Sequence, residues 1–283
     1  MNTLSTSKQK LSLAFKIIKD TVQGFVDDNV MRLSASLAYA TLFSIIPLFS
    51  LLITIGVFLQ IDLTDQLYTQ IEPVVGPKVV EALRSIIENA TEADVSSFAT
   101  IISVGVTIFS ATTVFAEIQS SLNTIWGIKA VPRKSWLKYI KNRLLSFSVI
   151  LVFAFILLIT FTITNLITDL SNRYIANNPD VAESLVKVIG IFVNIVVTTI
   201  IFTLIFKILP DAKIKSKDVF IGALVTTVLL LAGQWGISFY IAIANIETVY
   251  GAAAFMAIFI IWIYYSAIII YTGAEFTLSL IHI

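Results

Sequence analysis

The residues of this sequence that could do chemistry are a few polar side chains standing within long apolar stretches. Glu117 and Glu275 lie near the ends of two such stretches, and Gln234 lies well inside another. A carboxyl or amide group in such a place binds a polar substrate when it faces a cavity, or joins two helices through a hydrogen bond. The candidates for a substrate path are Gln234, Glu117, Asn123, Glu275, Tyr39 and Ser44.

Two interpretations of these candidates remain open. Glu117 and Glu275 either form a coupled acidic pair that lines an inner gate, or they are solvated at the ends of their helices. Gln234 either lines a path through the protein or makes a hydrogen bond between helices. The residue types alone do not separate a path from packing.

The inventory of residues excludes several kinds of site. The chain has no cysteine and a single histidine, His282, so disulfides and Cys/His metal sites are excluded. It has no Gly-x-x-x-x-Gly-Lys-Ser/Thr loop that would cradle the phosphates of ATP. We therefore expect no metal, no cofactor, no catalytic residue and no enzyme activity. Any transport would therefore use an ion gradient, a partner or simple equilibration.

Six stretches free of Asp, Glu, Lys and Arg are the elements that position these side chains. The chain is 57% hydrophobic and 13% charged, whereas about a quarter of the residues of a soluble domain are charged. Each stretch exceeds the roughly 18 residues needed to cross a bilayer as a helix, which satisfies its own backbone. The expected spans are roughly 34–60, 96–117, 144–168, 187–208, 219–243 and 250–275. The sequence predicts an all-α integral membrane six-helix bundle that forms one membrane domain over 1–283.

The distribution of basic residues predicts the orientation of this bundle. Most of the 19 Lys and Arg residues fall in the terminal and connecting segments that share one side of the membrane with the N-terminus. Because cytoplasmic segments carry the excess of basic residues, both termini are expected in the cytoplasm.

Residues 11–27 predict an amphipathic helix before the first span. Its larger apolar residues recur every three or four positions, which is the helical period. The helix is expected to lie in the interface of the inner leaflet, or alternatively to pack against loops of the protein itself. The apolar positions are Leu11, Phe15, Ile18, Val22 and Phe25.

Two connections have distinctive compositions. The first external loop, 62–94, is acidic, and Pro77 could start a helix within it. The internal loop 129–143 is basic and has aromatic neighbours, a composition that suits lipid headgroups, although topological anchoring explains it equally well. The candidates for headgroup binding are Arg133, Lys134, Lys138, Lys141 and Arg143.

Two local patterns concern the shape and packing of the helices. Pro47 lies mid-way along the first apolar stretch, where it predicts a kink that is either a hinge or fixed shape. The hydroxyl of Ser44 is expected to satisfy the carbonyl that this proline frees. Ala232 and Gly236 are four residues apart, so another helix is expected to approach closely there.

Several blocks of sequence, in a fixed order, resemble one family. The first runs from Arg32 to Pro47 and holds Tyr39 and Ser44, and the second is Leu122-Asn123-Thr124-Ile125-Trp126. The remaining blocks are Leu209-Pro210-Asp211-Ala212-Lys213, Gly222-Ala223, Tyr250-Gly251, Trp262 and Gly273-Ala274-Glu275. Together they resemble the YihY/BrkB family of bacterial inner-membrane proteins, whose older name is the ribonuclease BN-like family.

The resemblance implies a multi-pass protein of the bacterial inner membrane with six helices. Members of that family have been linked to serum resistance and, in some cases, to export of lipid or lipopolysaccharide precursors. It therefore implies a transporter or flippase for a lipid or lipid-linked anionic envelope precursor. The alternative is a non-transporting membrane scaffold or envelope-assembly partner.

The expected partners are membrane lipids, with a homo-oligomer or an envelope protein left open, and no nucleic acid. Ribonuclease activity is not expected despite the older family name. Hydrolysis of RNA needs metal-holding carboxylates and histidines, or a pair of histidines. The lone His282 and the cytoplasmic acids have no such spacing.

Overall fold

The computed structural model describes six helices. It covers residues 2–58, 105–128, 179–212, 214–243 and 254–282, with isolated positions between 68 and 85 and between 148 and 166. All regular structure at these positions is helical, so the all-α prediction is confirmed for the described part of the chain. The helices are α1 (Asn2–Asp27), α2 (Val30–Phe58), α3 (Thr113–Ile125), α4 (Pro179–Ile208), α5 (Ser216–Ile243) and α6 (Ala254–Ile281).

Three of these helices contain segments long and apolar enough to cross a membrane. They are Val188–Ile208 in α4, Ser216–Ile237 in α5 and Ala257–Ile281 in α6. Large apolar side chains on them are exposed, among them Phe192 at 65%. Such exposure is unfavourable in water and suits lipid. The chain is therefore a membrane protein with apolar helices.

Helix α6 extends past the expected end of the last span. The span was expected to end at residue 275, yet the helix continues to Ile281. Glu275 does not mark a solvated helix end, because its side chain is only 1% exposed. Because the prediction ended the last helix at this charged residue, it placed the end of the helix about one and a half turns too early.

Helix α2 continues through Pro47. The expected role of Ser44 was wrong, because its buried hydroxyl has no hydrogen-bond partner within the described part of the chain. The role of Pro47 as a hinge stays a prediction.

The chain forms two compact units. The first consists of Met1–Leu42, Val114–Ser135 and Phe202–Ile283, and the second of Phe43–Thr113 and Trp136–Ile201. The first unit holds α1, α5, α6 and nearly all of α3. It therefore contains most of the described polar candidates.

The second unit contains residues 62–94, the segment that was expected to form an external loop. Its described residues, between 68 and 85, are helical. The guanidinium carbon of Arg84 lies 4.8 Å from the centre of the Tyr68 ring, and that ring is buried. These positions agree with a helical loop. The basic internal loop, with Arg133, Lys134, Lys138, Lys141 and Arg143, lies outside the described residues.

Helices α5 and α6 pack antiparallel through small residues. A Cβ atom at Gly222 would lie 2.9 Å from the Cβ of Thr277, and one at Gly273 would lie 2.8 Å from the Cβ of Thr226. Each threonine hydroxyl is used within its own helix: Thr226 donates to the carbonyl of Gly222, and Thr277 donates to that of Gly273, both at 2.7 Å. The backbones therefore approach closely without leaving a buried hydroxyl unpaired.

The expected close approach at Ala232 and Gly236 is wrong for the described residues. Ala232 is exposed, and a Cβ at Gly236 would meet nothing within 4 Å there. The neighbouring Gly233 is the packed position, because a Cβ there would overlap the ring of Tyr265 on α6. Small-residue spacing recurs around a helix, and only the packing shows which face is used.

Candidate functional site

Helix α1 packs against the end of α6 through its small and polar face. The hydroxyl of Thr21 donates to the carbonyl of Ile17 and lies 3.3 Å from the hydroxyl of Ser279. One turn further along, a Cβ at Gly24 would lie 2.9 Å from the side-chain carboxyl carbon of Glu275. The two helices run antiparallel at this contact. Glycine at position 24 leaves room for the carboxyl group.

The apolar stripe of α1 faces away from this contact. Exposure reaches 71% at Phe15, 60% at Val22 and 65% at Val26. The sequence correctly placed apolar residues on one face, and the structure turns the opposite, polar face toward the protein. The contact partner is the last helix, whereas the alternative interpretation named the protein's own loops.

The carboxyl group of Glu275 is enclosed at the contact between α1 and α6, which we call the joint. The residue is 1% exposed, and its Oε1 atom has no hydrogen-bond partner among the described residues. The carboxyl group of Asp28 lies beside it, and that of Asp27 lies further away. No Lys or Arg side chain of the described part of the chain forms an ion pair with Glu275. The joint therefore brings acidic groups together without a basic partner among the described residues.

The turn between α1 and α2 places Asp28. Asn29 adopts φ 52°, a left-handed conformation that asparagine tolerates better than most residues. The backbone amide of Asp28 donates to the carbonyl of Gly24 at 2.9 Å, and that of Arg32 donates to the carbonyl of Asn29 at 2.8 Å. The chain thus leaves α1 and enters α2 within two residues, and Asp28 stays on the face that meets α6.

A second group of buried polar side chains lies between α3 and α6. Tyr271, one turn before Glu275, is fully buried, and its hydroxyl faces that of Ser121. Neither hydroxyl makes a well-formed hydrogen bond to a described residue. The Nε2 atom of Gln119 is also buried without a described partner, and Glu117 lies within electrostatic range of Tyr271. Polar groups that stay unpaired at such depth are costly, about 1–3 kcal/mol each.

The end of α3 is fixed to the segment after α4 by a two-way hydrogen bond. The backbone amide of Asp211 donates to Oδ1 of Asn123 at 3.0 Å, and Nδ2 of Asn123 lies 3.3 Å from Oδ2 of Asp211. The helix ends at Ile125, and Gly127 beyond it adopts φ 63°. The amides of Gly127 and Ile128 donate back to the carbonyls of Thr124 and Asn123, which is a Schellman cap.

Trp126 joins the same end of α3 to α6. Its indole Nε1 donates to the carbonyl of Ala274 at 3.2 Å. Its ring meets that of Phe206 edge to face, with centroids 6.4 Å apart. Residues from three separate sequence blocks therefore meet in one place.

The structure brings some of the predicted site residues together and separates others. Glu275, Glu117 and Asn123 all lie in the first unit, but the carboxyl group beside Glu275 is that of Asp28. Tyr39 is 68% exposed on α2, while Gln234 is half-buried on α5. Among the described residues, no group of three or more His, Asp or Glu side chains could hold a metal ion.

Sequence reasoning missed the side chains that α1 contributes. Thr21, Gly24 and Asp28 recur at helical spacing on one face, and that spacing was the available signal. It was overlooked because the apolar face of the same helix is more conspicuous. Tyr271 was not among the candidates either, and the structure buries it.

Comparisons with known proteins agree with one another. Residues 21–282 match the model of the family described as virulence factor BrkB. A UPF0761 membrane protein of Alkalilimnicola ehrlichii is 26% identical over 266 residues, which cover 90% of this chain and 56% of the relative. A UPF0761 membrane protein of Pseudomonas paraeruginosa is 27% identical over 263 residues, covering 90% of this chain and 60% of the relative.

A third relative has a similar identity and coverage. The UPF0761 membrane protein of Chromobacterium violaceum is 27% identical over 263 residues, covering 89% of this chain and 58% of the relative. The chain therefore spans less than two thirds of the length of these curated relatives. No solved structure is significantly similar to it.

Proposed function

This chain belongs to the BrkB virulence factor family, and from that premise we propose that it is a transporter or flippase for a lipid or a lipid-linked anionic envelope precursor. It works in the bacterial inner membrane as a multi-pass protein. Six helices cross the bilayer, and both termini lie in the cytoplasm. Its partners are membrane lipids.

The observation that carries this proposal is the group of buried, unpaired polar side chains within apolar helices. Gln119 and Ser121 on α3 face the interior, as do Tyr271 and Glu275 on α6. A protein that only needed helix packing would gain stability by replacing them with apolar residues. A transporter keeps such groups because they take the place of water around a polar headgroup during its passage.

The exposed stripe of α1 supports a site at the membrane surface. Helix α1 meets α6 near the end of the apolar segment Ala257–Ile281, and we infer from this that α1 lies at the level of the headgroups. The stripe is flanked by exposed Lys16 and Lys19. Apolar residues flanked by lysines are typical of a helix that lies in an anionic interface.

Reconstitution with a labelled lipid tests the proposal. The purified protein is placed in liposomes that contain a fluorescent anionic lipid, and its movement between leaflets is followed by quenching from outside. We expect protein-dependent movement that slows at least about tenfold, equivalent to about 1.4 kcal/mol, in Gln119→Leu. The matched control is Thr124→Ala, because Thr124 is exposed on the same helix. Equal rates in empty and protein-containing liposomes for all anionic lipids tried would refute the proposal.

A scaffold is the second candidate, favoured by the contacts among the family blocks. Three segments are joined there by the hydrogen bonds of Asn123 with Asp211 and of Trp126 with Ala274. In that case Gln119→Leu would leave every lipid rate unchanged and raise thermal stability. The combination of the two readouts separates a transporter from a scaffold.

A further inference from the structure

The joint between α1 and α6 has the composition of an ion site. The carboxyl group of Glu275 is enclosed, and on the α1 side it meets only the backbone of Gly24 and the carboxyl group of Asp28. A buried carboxylate without a counter-charge is costly, so the group must hold a proton or a cation. The unpaired Oε1 atom shows that the described residues alone do not satisfy it.

The neighbours of the joint favour a proton over a metal cation. The groups that face Glu275 from α1 are Asp28 and, further away, Asp27. The other ionisable groups are Tyr271, which lies one turn before Glu275 on α6, and Glu117 on α3, which acts electrostatically on Tyr271. Metal ions need several oxygen ligands around them, and the described residues form no such group. Two adjacent carboxyl groups need only one proton, since one of them then donates to the other.

We propose that Asp28 and Glu275 share one bound proton, and that this proton holds α1 against α6. When the proton leaves, two carboxylates face each other in an enclosed space and repel. The helix expected to respond is α1, because Asp28 lies in the turn that directly follows its last residue and the repulsion therefore acts on that end of the helix. The bound proton thus controls whether α1 stays packed against α6, and we call this proton-dependent contact the latch.

The latch does not depend on lipid transport. It would exist in a scaffold as well, and only its use as a coupling site rests on the proposed function. In that use, a proton gradient across the membrane would be the energy source, since the chain has no ATP-binding loop. The tests below measure the latch in the absence of any substrate.

Two spin labels measure the movement of α1. The natural chain has no cysteine, so Lys19→Cys and His282→Cys introduce two unique labelling positions, and both native residues are exposed. The second substitution also removes the only histidine of the sequence, so no imidazole contributes to the response. The protein is reconstituted in nanodiscs and the distance between labels is measured from about pH 4 to about pH 9, where buried carboxyl groups titrate.

We expect the distance between labels to lengthen and its distribution to broaden as the pH rises. The same pair of labels in Glu275→Gln should stay at the short distance at every pH, because the amide keeps the shape and carries no charge. Asp28→Asn should behave in the same way, while Asp20→Asn, at a half-buried acid two turns before Asp28 that is not among the groups beside Glu275, should keep the native response. A native distance that does not change with pH, or a response that survives in Glu275→Gln, would overturn the proposal.

Infrared spectroscopy gives a second readout that does not require α1 to move. A protonated carboxyl group has its own carbonyl absorption. In the difference spectrum between the native protein and Glu275→Gln, one such band should be present at low pH and decrease at high pH. If added sodium or potassium closes the joint at constant pH, the ligand is a metal cation and the proton assignment is wrong. Size-exclusion profiles confirm that each variant is folded.

Discussion

Thr226 of α5 lies directly against the backbone of Gly273 on α6, so closely that a Cβ atom at position 273 would be 2.8 Å from the threonine Cβ. The arrangement is reciprocal, because Thr277 of α6 lies in the same way against Gly222 of α5. Two Gly-x-x-x-Thr segments therefore pair antiparallel. The contact depends on backbone proximity, which makes it sensitive to a single added methyl group.

Adding that methyl group should destabilise the protein. We expect Gly273→Ala to lower stability by about 1–3 kcal/mol, the usual cost of overpacking. The control is Gly236→Ala, where there is open space among the described residues and where alanine should stabilise the helix by about 0.5–1 kcal/mol. Thermal unfolding in detergent, followed by tryptophan fluorescence, measures both.

A double substitution checks the reason for the loss. In the Gly273→Ala background, Thr226→Ala should restore part of the stability, because it removes Oγ1 and Cγ2 of the threonine, which the new methyl group would meet. If the two losses simply add, the contact does not carry the effect.

The bond between Asn123 and Asp211 should appear as a coupling energy. Asn123→Ala removes both hydrogen bonds, whereas Asp211→Ala removes only the one that Oδ2 accepts and keeps the backbone donor. The double variant should therefore lose little more than Asn123→Ala alone. A coupling of about 0.5–1.5 kcal/mol is expected for hydrogen bonds at a partly exposed position. Thr124→Ala, which changes a neighbouring exposed residue, should show no coupling with Asp211→Ala.

The indole nitrogen of Trp126 should matter more than that of Trp235. Trp126→Phe keeps an aromatic ring near Phe206 but removes the donor to Ala274, so we expect a loss of about 1 kcal/mol. Trp235 is 78% exposed, and Trp235→Phe should change stability by less than about 0.5 kcal/mol. Equal losses in the two variants would show that the bond to Ala274 contributes nothing. Chemical unfolding in mixed micelles provides the comparison.

The exposed stripe of α1 should contact lipid. Single spin labels at Phe15→Cys and Val22→Cys should be reached by oxygen, which dissolves in the bilayer, more readily than by a water-soluble nickel complex. A label at Gln23→Cys, also exposed but off the stripe, should show the reverse preference. A water-like result at both stripe positions would place α1 away from the membrane. Electron paramagnetic resonance of the labelled protein in anionic liposomes measures the ratio of the two accessibilities.

The boundary of the last helix shows where sequence reasoning reached its limit. The apolar stretch around Trp262 was easy to identify, because bilayer thickness requires a long uncharged run. The helix nevertheless extends beyond Glu275, since the carboxyl group is enclosed by another helix and does not need water. A similar limit applies to Gly236 and Gly233, which are equally small but pack differently.

The sequence by itself determined that the chain is helical, apolar and a member of its family. Those properties follow from composition, from the helical period and from the order of local blocks such as Leu122-Asn123-Thr124-Ile125-Trp126. The tertiary structure alone decided which polar groups meet. Gly24 and Glu275 lie near opposite ends of the chain, and their contact depends on how α1 turns its polar face to α6. The period predicts which residues share a face, but which face is buried depends on the packing of the partner helix.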